Sequence, residues 1–153
     1  MKILVSACIL GENCKYNGGN NLNQDVVAFC KGHKVTTICP ELLAGLPTPR
    51  PCAEQVKNRI LDINGNDVTE EYETGVAKAL ESMNGKEFDL VILQSRSPTC
   101  GCKQIYDGSF TGKLVDGTGR FAQALLRLGY HVIDASDIDI SGAKQLRQIQ
   151  KHK

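Results

Sequence analysis

The chain has 153 residues, a length that fits one globular domain and excludes two large ones. Its 18 basic and 17 acidic side chains leave a formal net charge of +1, which argues against a nucleic-acid coat or a polybasic membrane anchor. No apolar run is long enough to span a membrane, and the first eight residues are too short for the core of a signal peptide. We therefore expect a single domain over residues 1–153, located in the cytoplasm and without a membrane partner.

The first half of the chain predicts short strands, one short helix and loops. Residues 2–6 are mostly apolar and predict a strand buried on both faces, and residues 35–38 predict a second strand. Between them, residues 24–31 predict a short helix. Residues 40–51 contain four of the five prolines, so we expect an ordered irregular loop there. The Asn-Gly pair at residues 64–65 predicts the turn of a small hairpin.

The second half alternates helices with strands. Apolar side chains at helical spacing after Thr69 predict an amphipathic helix, and residues 89–94 predict a buried strand. A further helix, a last strand and a C-terminal helix capped by Ser141 follow, on the pattern of Phe121, Leu125, Leu128, Val132, Ile133, Leu146 and Ile149. This alternation predicts an α/β fold: one Rossmann-like domain whose mostly parallel sheet has helices on both faces and a small hairpin as an excursion.

Seven cysteines are the most informative part of the composition. Their number is odd and their share lies below the roughly 8–10% typical of disulfide scaffolds, so we expect reduced thiols. Cys8, Cys39 and Cys100 each follow a predicted strand, and open α/β sheets bind ligands at the carboxyl ends of strands. The absence of any CxxC pair disfavours a zinc ribbon. Three thiolates at one point would suit an iron–sulfur cluster with one iron free of protein ligands; the commoner alternative is cysteines scattered through core and loops.

Several stretches of the sequence form a specific combination: Ser-Ala-Cys-Ile-Leu-Gly at 6–11, Tyr-Asn-Gly at 16–18, Cys-Pro-Glu at 39–41, Gly-Leu-Pro-Thr-Pro-Arg at 45–50, Ser-Arg-Ser-Pro-Thr-Cys-Gly at 95–101, Tyr-Asp-Gly at 106–108 and Phe-Thr-Gly at 110–112. Together they resemble the DUF523 family, which includes the thiouracil desulfidases. The resemblance implies a Rossmann-like domain that holds a [4Fe-4S] cluster on three cysteines, here Cys8, Cys39 and Cys100. It also implies a small thiolated pyrimidine as the substrate.

The chain departs from the family pattern at four positions. Gln94 stands where we expect a lysine, which removes a cationic partner at that point. Cys52 stands where a small residue or proline is more usual, and it offers an alternative to Cys39 as the third ligand. Cys14 and Cys102 are additional cysteines without an assigned role.

Two residues are candidates for catalysis. The open iron of such a cluster is a soft Lewis acid, and a thiocarbonyl sulfur is a soft ligand that it prefers over a carbonyl oxygen. Glu41, fixed by the preceding Pro40, is the carboxylate best placed to take a proton from an attacking water, and Ser97 is a candidate hydrogen-bond donor. The structural alternatives are an ion pair of Glu41 with Arg50 and a turn capped by Ser97 before Pro98. The predicted reaction is a hydrolytic desulfuration without electron transfer.

Four residues are candidates for substrate binding. Ser6 and Arg50 lie in stretches that carry the resemblance, and we assign both to the substrate. Residues 117–122 match the G-x-G-x-x-A dinucleotide fingerprint but lack the strand and acidic residue that complete it. Their alternative role is helix capping. If the amides are free, Gly119 and Arg120 would hold the phosphate of a thiolated nucleotide.

A second function from a different class remains open, a binding module that accepts an iron–sulfur cluster, a metal or sulfide and delivers it to a partner. Glu41 separates the two functions, because a carrier needs no general base. A nucleic-acid partner is not favoured, since no aromatic residues are interleaved in the basic C-terminal segment formed by Lys144, Arg147, Lys151, His152 and Lys153. The sequence indicates no oligomeric state.

Overall fold

A computed structural model of the chain describes residues 1–139. In chain order its elements are β1 (Lys2–Ser6), α1 (Gln24–Cys30), β2 (Lys34–Ile38), α2 (Pro40–Leu43), β3 (Ala53–Val56), β4 (Arg59–Asp62), α3 (Thr69–Ser82), β5 (Leu90–Leu93), β6 (Gln104–Tyr106), β7 (Leu114–Asp116), α4 (Arg120–Arg127) and β8 (Val132–Asp134). Short 3₁₀ turns follow β1 at Ala7–Leu10 and β8 at Ala135–Asp137. The helix expected to begin at Ser141 and the basic C-terminal segment lie outside the described residues.

The central sheet is parallel, with the strand order β2-β1-β5-β8. In its register Ile3 lies opposite Val35 on one side and Leu90 on the other. Because β2 lies on one side of β1 while β5 and β8 lie on the other, the chain leaves β1 and β5 toward opposite edges of the sheet. The carboxyl ends of β1 and β5 therefore border the topological switch point, which is where open α/β sheets bind ligands.

Both faces of this sheet are covered. One face packs against α3 and α4 in a cluster that includes Leu4, Val91, Leu93, Val76, Phe121 and Leu125. The alternate strand residues pack against α1 in a second cluster that includes Ile3, Val5, Leu90, Ile92, Val26 and Phe29. Each large apolar side chain that is fully buried contributes about 1.5–3 kcal/mol to stability. The predicted Rossmann-like α/β fold with helices on both faces is confirmed.

Two hairpins, β3–β4 and β6–β7, lie outside the central sheet. The hairpin predicted around residues 64–65 is displaced, because β4 pairs with the upstream strand β3. Lys57 adopts a left-handed φ of 56° in the connection between β3 and β4, which permits this tight reversal. Beyond the Asn-Gly turn the chain forms only a single bridge between Leu61 and Asp67. The second hairpin was not predicted, since its strands of three residues are too short for a clear periodicity.

Two local details of the helices also differ from expectation. The proline-rich loop contains α2, one turn of helix with Pro40 at its start, where a missing N–H breaks no hydrogen bond. Thr69 begins α3, but its hydroxyl donates to the Asp67 carboxylate and does not cap the helix. None of the helices within residues 1–139 is long and apolar enough to cross a membrane.

Candidate functional site

A cavity of about 620 Å³ lies at the carboxyl ends of β1, β2 and β5. Residues of the hairpins β3–β4 and β6–β7 complete its lining. Five of the seven cysteines line it, namely Cys8, Cys14, Cys39, Cys52 and Cys100. Cys30 and Cys102 pack instead with the two apolar clusters, and all seven thiols are unpaired. The structure therefore brings the three cysteines expected to bind a metal centre into one cavity.

Each of the three thiols is held by the loop after a different strand. Cys8 lies in the 3₁₀ turn that follows β1, and its sulfur accepts a hydrogen bond from Asn21 Nδ2 at 3.5 Å. Cys39 has an extended backbone between β2 and α2. Cys100 is buried in the loop after β5, where its amide donates to Ser97 Oγ at 2.6 Å. The rule that parallel strands end at one edge thus accounts for their meeting.

Burial and nearby negative charge raise the pKa of two of these thiols, Cys8 and Cys100. Burial raises the pKa of Cys8, and the nearby Cys39 and Glu41 raise it further. Burial also raises the pKa of Cys100 well above its usual value, with smaller increases from Glu41, Cys8 and Cys39. A multivalent cationic centre would reverse this effect by favouring the thiolates. The donor set therefore matches a site completed by such a centre.

The arrangement of these side chains does not match a single-ion site. Within residues 1–139, no three His, Cys, Asp or Glu side chains surround one point closely enough to hold one metal ion. The terminal thiolates of an iron–sulfur cluster bind different irons, so they stand farther apart than the ligands of a single zinc ion. Three thiols lining one cavity without single-ion geometry are compatible with a cluster.

Cys14 is a fourth thiol of this group, and its position was not predicted. Burial raises its pKa to about 12, and Cys39 and Cys8 add to the increase. It forms a side-chain hydrogen bond with Cys39, and its carbonyl oxygen accepts from Arg50 Nη2 at 2.9 Å.

Glu41 forms the ion pair with Arg50 that the sequence left as an alternative. Its Oε1 accepts from Arg50 Nε at 3.0 Å and lies 2.9 Å from Nη2, while Oε2 accepts from Thr99 Oγ1 at 3.1 Å. The hydroxyl of Tyr72 also donates a hydrogen bond to this carboxylate. Glu41 also lines the cavity, with 16% of its side chain exposed. The carboxylate is therefore oriented by Arg50, Thr99 and Tyr72 at the border of the cavity.

Arg50, expected to bind substrate, lines the cavity, and its guanidinium is engaged largely by the protein. Nε donates to Glu41 Oε1, Nη2 donates to the Cys14 carbonyl, and Nη1 donates to the Pro47 carbonyl and Thr48 Oγ1. These hydrogen bonds use four of the five N–H donors of a guanidinium. Arg50 therefore holds the loop and the carboxylate, and its contact with substrate stays a prediction.

Ser97 caps the turn before Cys100 and keeps one hydrogen-bonding function free. Its Oγ accepts from the amides of Thr99 at 3.3 Å and Cys100 at 2.6 Å. A hydroxyl has two acceptor positions and one donor, so only its O–H remains unassigned. Ser97 lines the cavity. The turn-capping alternative is thus correct, and it leaves the hydroxyl proton available for donation into the cavity.

Ser6 contacts a candidate ligand where a substrate contact was expected. Its hydroxyl donates to the sulfur of Cys100, which lowers the pKa of that thiol in part against the larger effect of burial. Its Oγ accepts from the amide of Gln94 at 3.0 Å. The hydroxyl of Ser6 therefore bonds to two residues of the loop that follows β5. Gln94, in the position of the expected lysine, lines the cavity.

Gly119 and Arg120 do not line the cavity. The amide of Gly119 donates to the Gly101 carbonyl at 2.6 Å, and the amide of Arg120 donates to the Pro98 carbonyl at 2.9 Å. A Cβ at position 119 would overlap the carbonyl group of Thr99. The guanidinium of Arg120 donates to the Asn58 carbonyl at 2.6 Å. The glycine run thus serves close packing of α4 on the Cys100 loop, and the expected phosphate contact has no free amides.

Three residues of the site escaped sequence reasoning. Thr99 donates to Glu41, and Asn21 donates to Cys8. Glu54 accepts from the amides of Gly108 and Phe110. Of these, only Thr99 carried a signal, because it precedes Cys100 directly. The others depend on contacts between distant parts of the chain.

Three comparisons relate the chain to known proteins. The model of the 2-thiouracil desulfurase family matches residues 3–137. The uncharacterized protein YbbK of Bacillus subtilis (strain 168) is 37% identical over 147 residues, which make up 90% of this chain and 97% of that protein. A solved structure, that of the [4Fe-4S]-dependent thiouracil desulfidase TudS, is similar with a TM-score of 0.83 and 32% identity, over 98% of this chain and 97% of that one. The family match spans every candidate site residue.

Proposed function

The chain belongs to the 2-thiouracil desulfurase family, and on that premise we propose that it is a [4Fe-4S]-dependent enzyme that converts a thiolated uracil to its oxygen counterpart and releases sulfide. The observation that carries the proposal is the meeting of Cys8, Cys39, Cys100 and Glu41 in one cavity at the switch point of the sheet. Three thiols supply the ligands and the carboxylate supplies a base.

Cys8, Cys39 and Cys100 would hold the cluster. When bound, it supplies a soft Lewis acid for the thiocarbonyl sulfur, because one iron has no protein ligand. Ser6 donates to Cys100 and Asn21 donates to Cys8, so two of the sulfurs already carry hydrogen bonds that favour their thiolate form. Cys39 is preferred over Cys52, since Cys39 acts electrostatically on both other thiols.

Glu41 is the general base in this proposal. Arg50, Thr99 and Tyr72 fix its carboxylate. Glu41 lines the cavity, where its carboxylate takes a proton from water. The water oxygen forms a bond to the ring carbon, the carbon–sulfur bond breaks, and sulfur leaves as hydrosulfide. Carbon keeps its oxidation state, so no reductant is consumed. The O–H of Ser97 is directed to the ring or to the water.

Free base and nucleoside are the proposed substrate forms. The amides at the start of α4 would have been the phosphate site, but they donate to the loop that carries Cys100. An odd number of cysteines suits reduced thiols, and on that ground we propose a cytoplasmic location.

The test uses anaerobically purified, cluster-loaded protein. Incubation with 2-thiouracil or 2-thiouridine should give uracil or uridine and release sulfide without dithionite, as measured by chromatography, and thiouridine monophosphate should be the poorest of the three substrates. No oxygen product from any of the three would overturn the proposal. Product that requires dithionite would contradict the hydrolytic mechanism and leave the desulfidase assignment in place.

A matched pair of variants separates the enzyme from a delivery module. Glu41→Gln keeps the size of the side chain but cannot take the proton, so turnover should fall about 100-fold or more at unchanged iron and sulfide content. Glu70→Gln, at an exposed position at the start of α3, is the control. A carrier would behave identically in both variants.

A further inference from the structure

The turn between β6 and β7 holds an aromatic residue in an unusual backbone conformation. Phe110 has a φ of 59°, in the left-handed region that bulky side chains rarely adopt. Within residues 1–139, three non-glycine residues have such a φ. Arg96 and Phe110 line the cavity, while Lys57 lies in the β3–β4 turn. Strained backbone of this kind persists where the surroundings enforce it, and it is concentrated at ligand sites.

Glu54 enforces the conformation of Phe110. Its carboxylate is buried, and Oε1 accepts from the amide of Gly108 at 3.0 Å and from the amide of Phe110 at 3.2 Å. A buried carboxylate is stable only when it is hydrogen-bonded, so the Glu54 carboxylate and the two amides hold one another in place. On the outer side of the turn, Ser109 donates to the Asp107 carboxylate through its amide and its hydroxyl.

The result is a half-buried apolar ring fixed in a cavity that also contains the thiols, Glu41 and Ser97. Tyr16 and Tyr106 line the same cavity with ordinary backbone angles, so their placement carries no comparable cost. A planar heterocycle stacks on such a ring, and the interaction tolerates changes at the edge of the heterocycle. Neither the ion pair nor the thiols explain why a phenyl ring is held here at the expense of strain.

We propose that Phe110 is the surface on which the pyrimidine ring of the substrate stacks, and that it selects planar thiocarbonyl compounds over non-planar ones. This inference rests on the proposed function for the identity of the ring. Phe110 is a specificity residue here, and Glu54 is its positioning residue. The expected signature is a loss of affinity with the chemical step preserved.

The kinetic test compares 2-thiouracil with 5,6-dihydro-2-thiouracil, which keeps the thiocarbonyl group but is not aromatic. In the cluster-loaded protein, Phe110→Leu should raise KM for 2-thiouracil about tenfold and leave kcat nearly unchanged. KM for the dihydro compound should hardly change, and Phe110→Tyr should retain the wild-type preference. Val115→Ala, at an exposed position of the same hairpin, is the control. An unchanged preference in Phe110→Leu would overturn the inference.

A binding measurement separates this inference from the proposed function. In cluster-loaded Glu41→Gln protein, equilibrium dialysis should show Kd for 2-thiouracil about tenfold higher when Phe110→Leu is added. This comparison requires no turnover, so it decides the role of Phe110 even if wild-type protein yields no oxygen product. Equal Kd values would contradict the stacking surface.

The variant Phe110→Gly tests whether the loss of affinity comes only from a loss of folding. Glycine adopts a positive φ readily, so this variant should keep its Tm and iron content while losing affinity for 2-thiouracil as Phe110→Leu does. A purely structural ring would give the opposite result: a lower Tm with wild-type affinity in the molecules that remain loaded.

Discussion

The hydroxyl of Thr99 donates a hydrogen bond of 3.1 Å to Oε2 of Glu41, across 58 positions of the chain. It joins the loop that carries Cys100 to the loop that carries Cys39. Thr99 is only 1% exposed, so water cannot easily replace this bond once it is lost. The orientation of the candidate base therefore depends on the loop that supplies one of the thiols.

Replacing Thr99 should affect turnover more than cluster binding. Thr99→Val keeps the shape of the side chain and removes the donor to Glu41, so kcat should fall about tenfold through misorientation of the carboxylate. Iron and sulfide content should stay normal. Thr99→Ser restores the hydroxyl and should recover most of the activity. Equal kcat values in the Val variant and the wild-type protein would show that the bond has no catalytic consequence.

Arg50 and Glu41 should differ in their effect on stability. Arg50→Ala removes the ion-pair partner of a mostly buried carboxylate and the donor to the Cys14 carbonyl, so the free energy of unfolding should fall by about 3 kcal/mol or more. Glu41→Gln retains a hydrogen-bonding side chain and should cost less. Urea unfolding of the cluster-free variants measures both. A larger loss for Glu41→Gln than for Arg50→Ala would contradict the assignment of Arg50 as the structural partner.

The third ligand can be assigned by metal content. Cys39→Ala should abolish the cluster after anaerobic reconstitution, whereas Cys52→Ala should keep close to the wild-type content, because Cys39 is the thiol that acts on Cys8 and Cys100. Iron and sulfide determination together with the absorption spectrum measures this. The reverse pattern would transfer the ligand role to Cys52.

The cluster-free protein should lose stability at alkaline pH. Burial raises the pKa values of Cys8, Cys14 and Cys100, so the folded chain keeps protons that the unfolded chain releases. The folded state then binds more protons, and the free energy of unfolding falls as pH rises above about 8.5. Urea unfolding in the presence of a reductant should show this fall, and Cys8→Ser should make it shallower. Stability that is flat or rising in this range would contradict the burial of neutral thiols.

Gly119 should be required for the loop that carries Cys100. A Cβ at this position overlaps the Thr99 carbonyl group, so Gly119→Ala should lower both Tm and iron content. Gly117→Ala is the matched control, because its added Cβ meets only side-chain atoms of Ile105, the nearest at 3.1 Å. If both alanine variants load iron equally well, the close approach of α4 to the loop is not needed for cluster binding.

The gathering of Cys8, Cys39 and Cys100 could be predicted from the sequence, because parallel strands ending at one edge bring their following residues together. The partners of these residues could not. The bonds of Glu41 to Thr99 and of Ser6 to Cys100 join segments far apart in sequence, and no local pattern encodes them.

The glycine run at 117–122 shows how one pattern can serve two purposes. A glycine that lets backbone approach a phosphate also lets backbone approach another loop, and at Gly119 the second use is the observed one. The β6–β7 hairpin escaped prediction for a different reason: its short strands are specified by contacts with β3 and by the Glu54 carboxylate. Tertiary contacts therefore determine both the role of Gly119 and the formation of the β6–β7 hairpin.

The two hairpins that complete the cavity hydrogen-bond as separate two-stranded sheets, and neither belongs to the four parallel strands. The thiols come from the edge of the central sheet, whereas Phe110 and Glu54 come from the hairpins. Residues of the hairpins therefore shape the cavity without taking part in the register of the central strands. On the proposed roles, reactivity and substrate choice come from different structural units, which meet where Gln55 donates to the Pro98 carbonyl and Ile105 bridges Arg96.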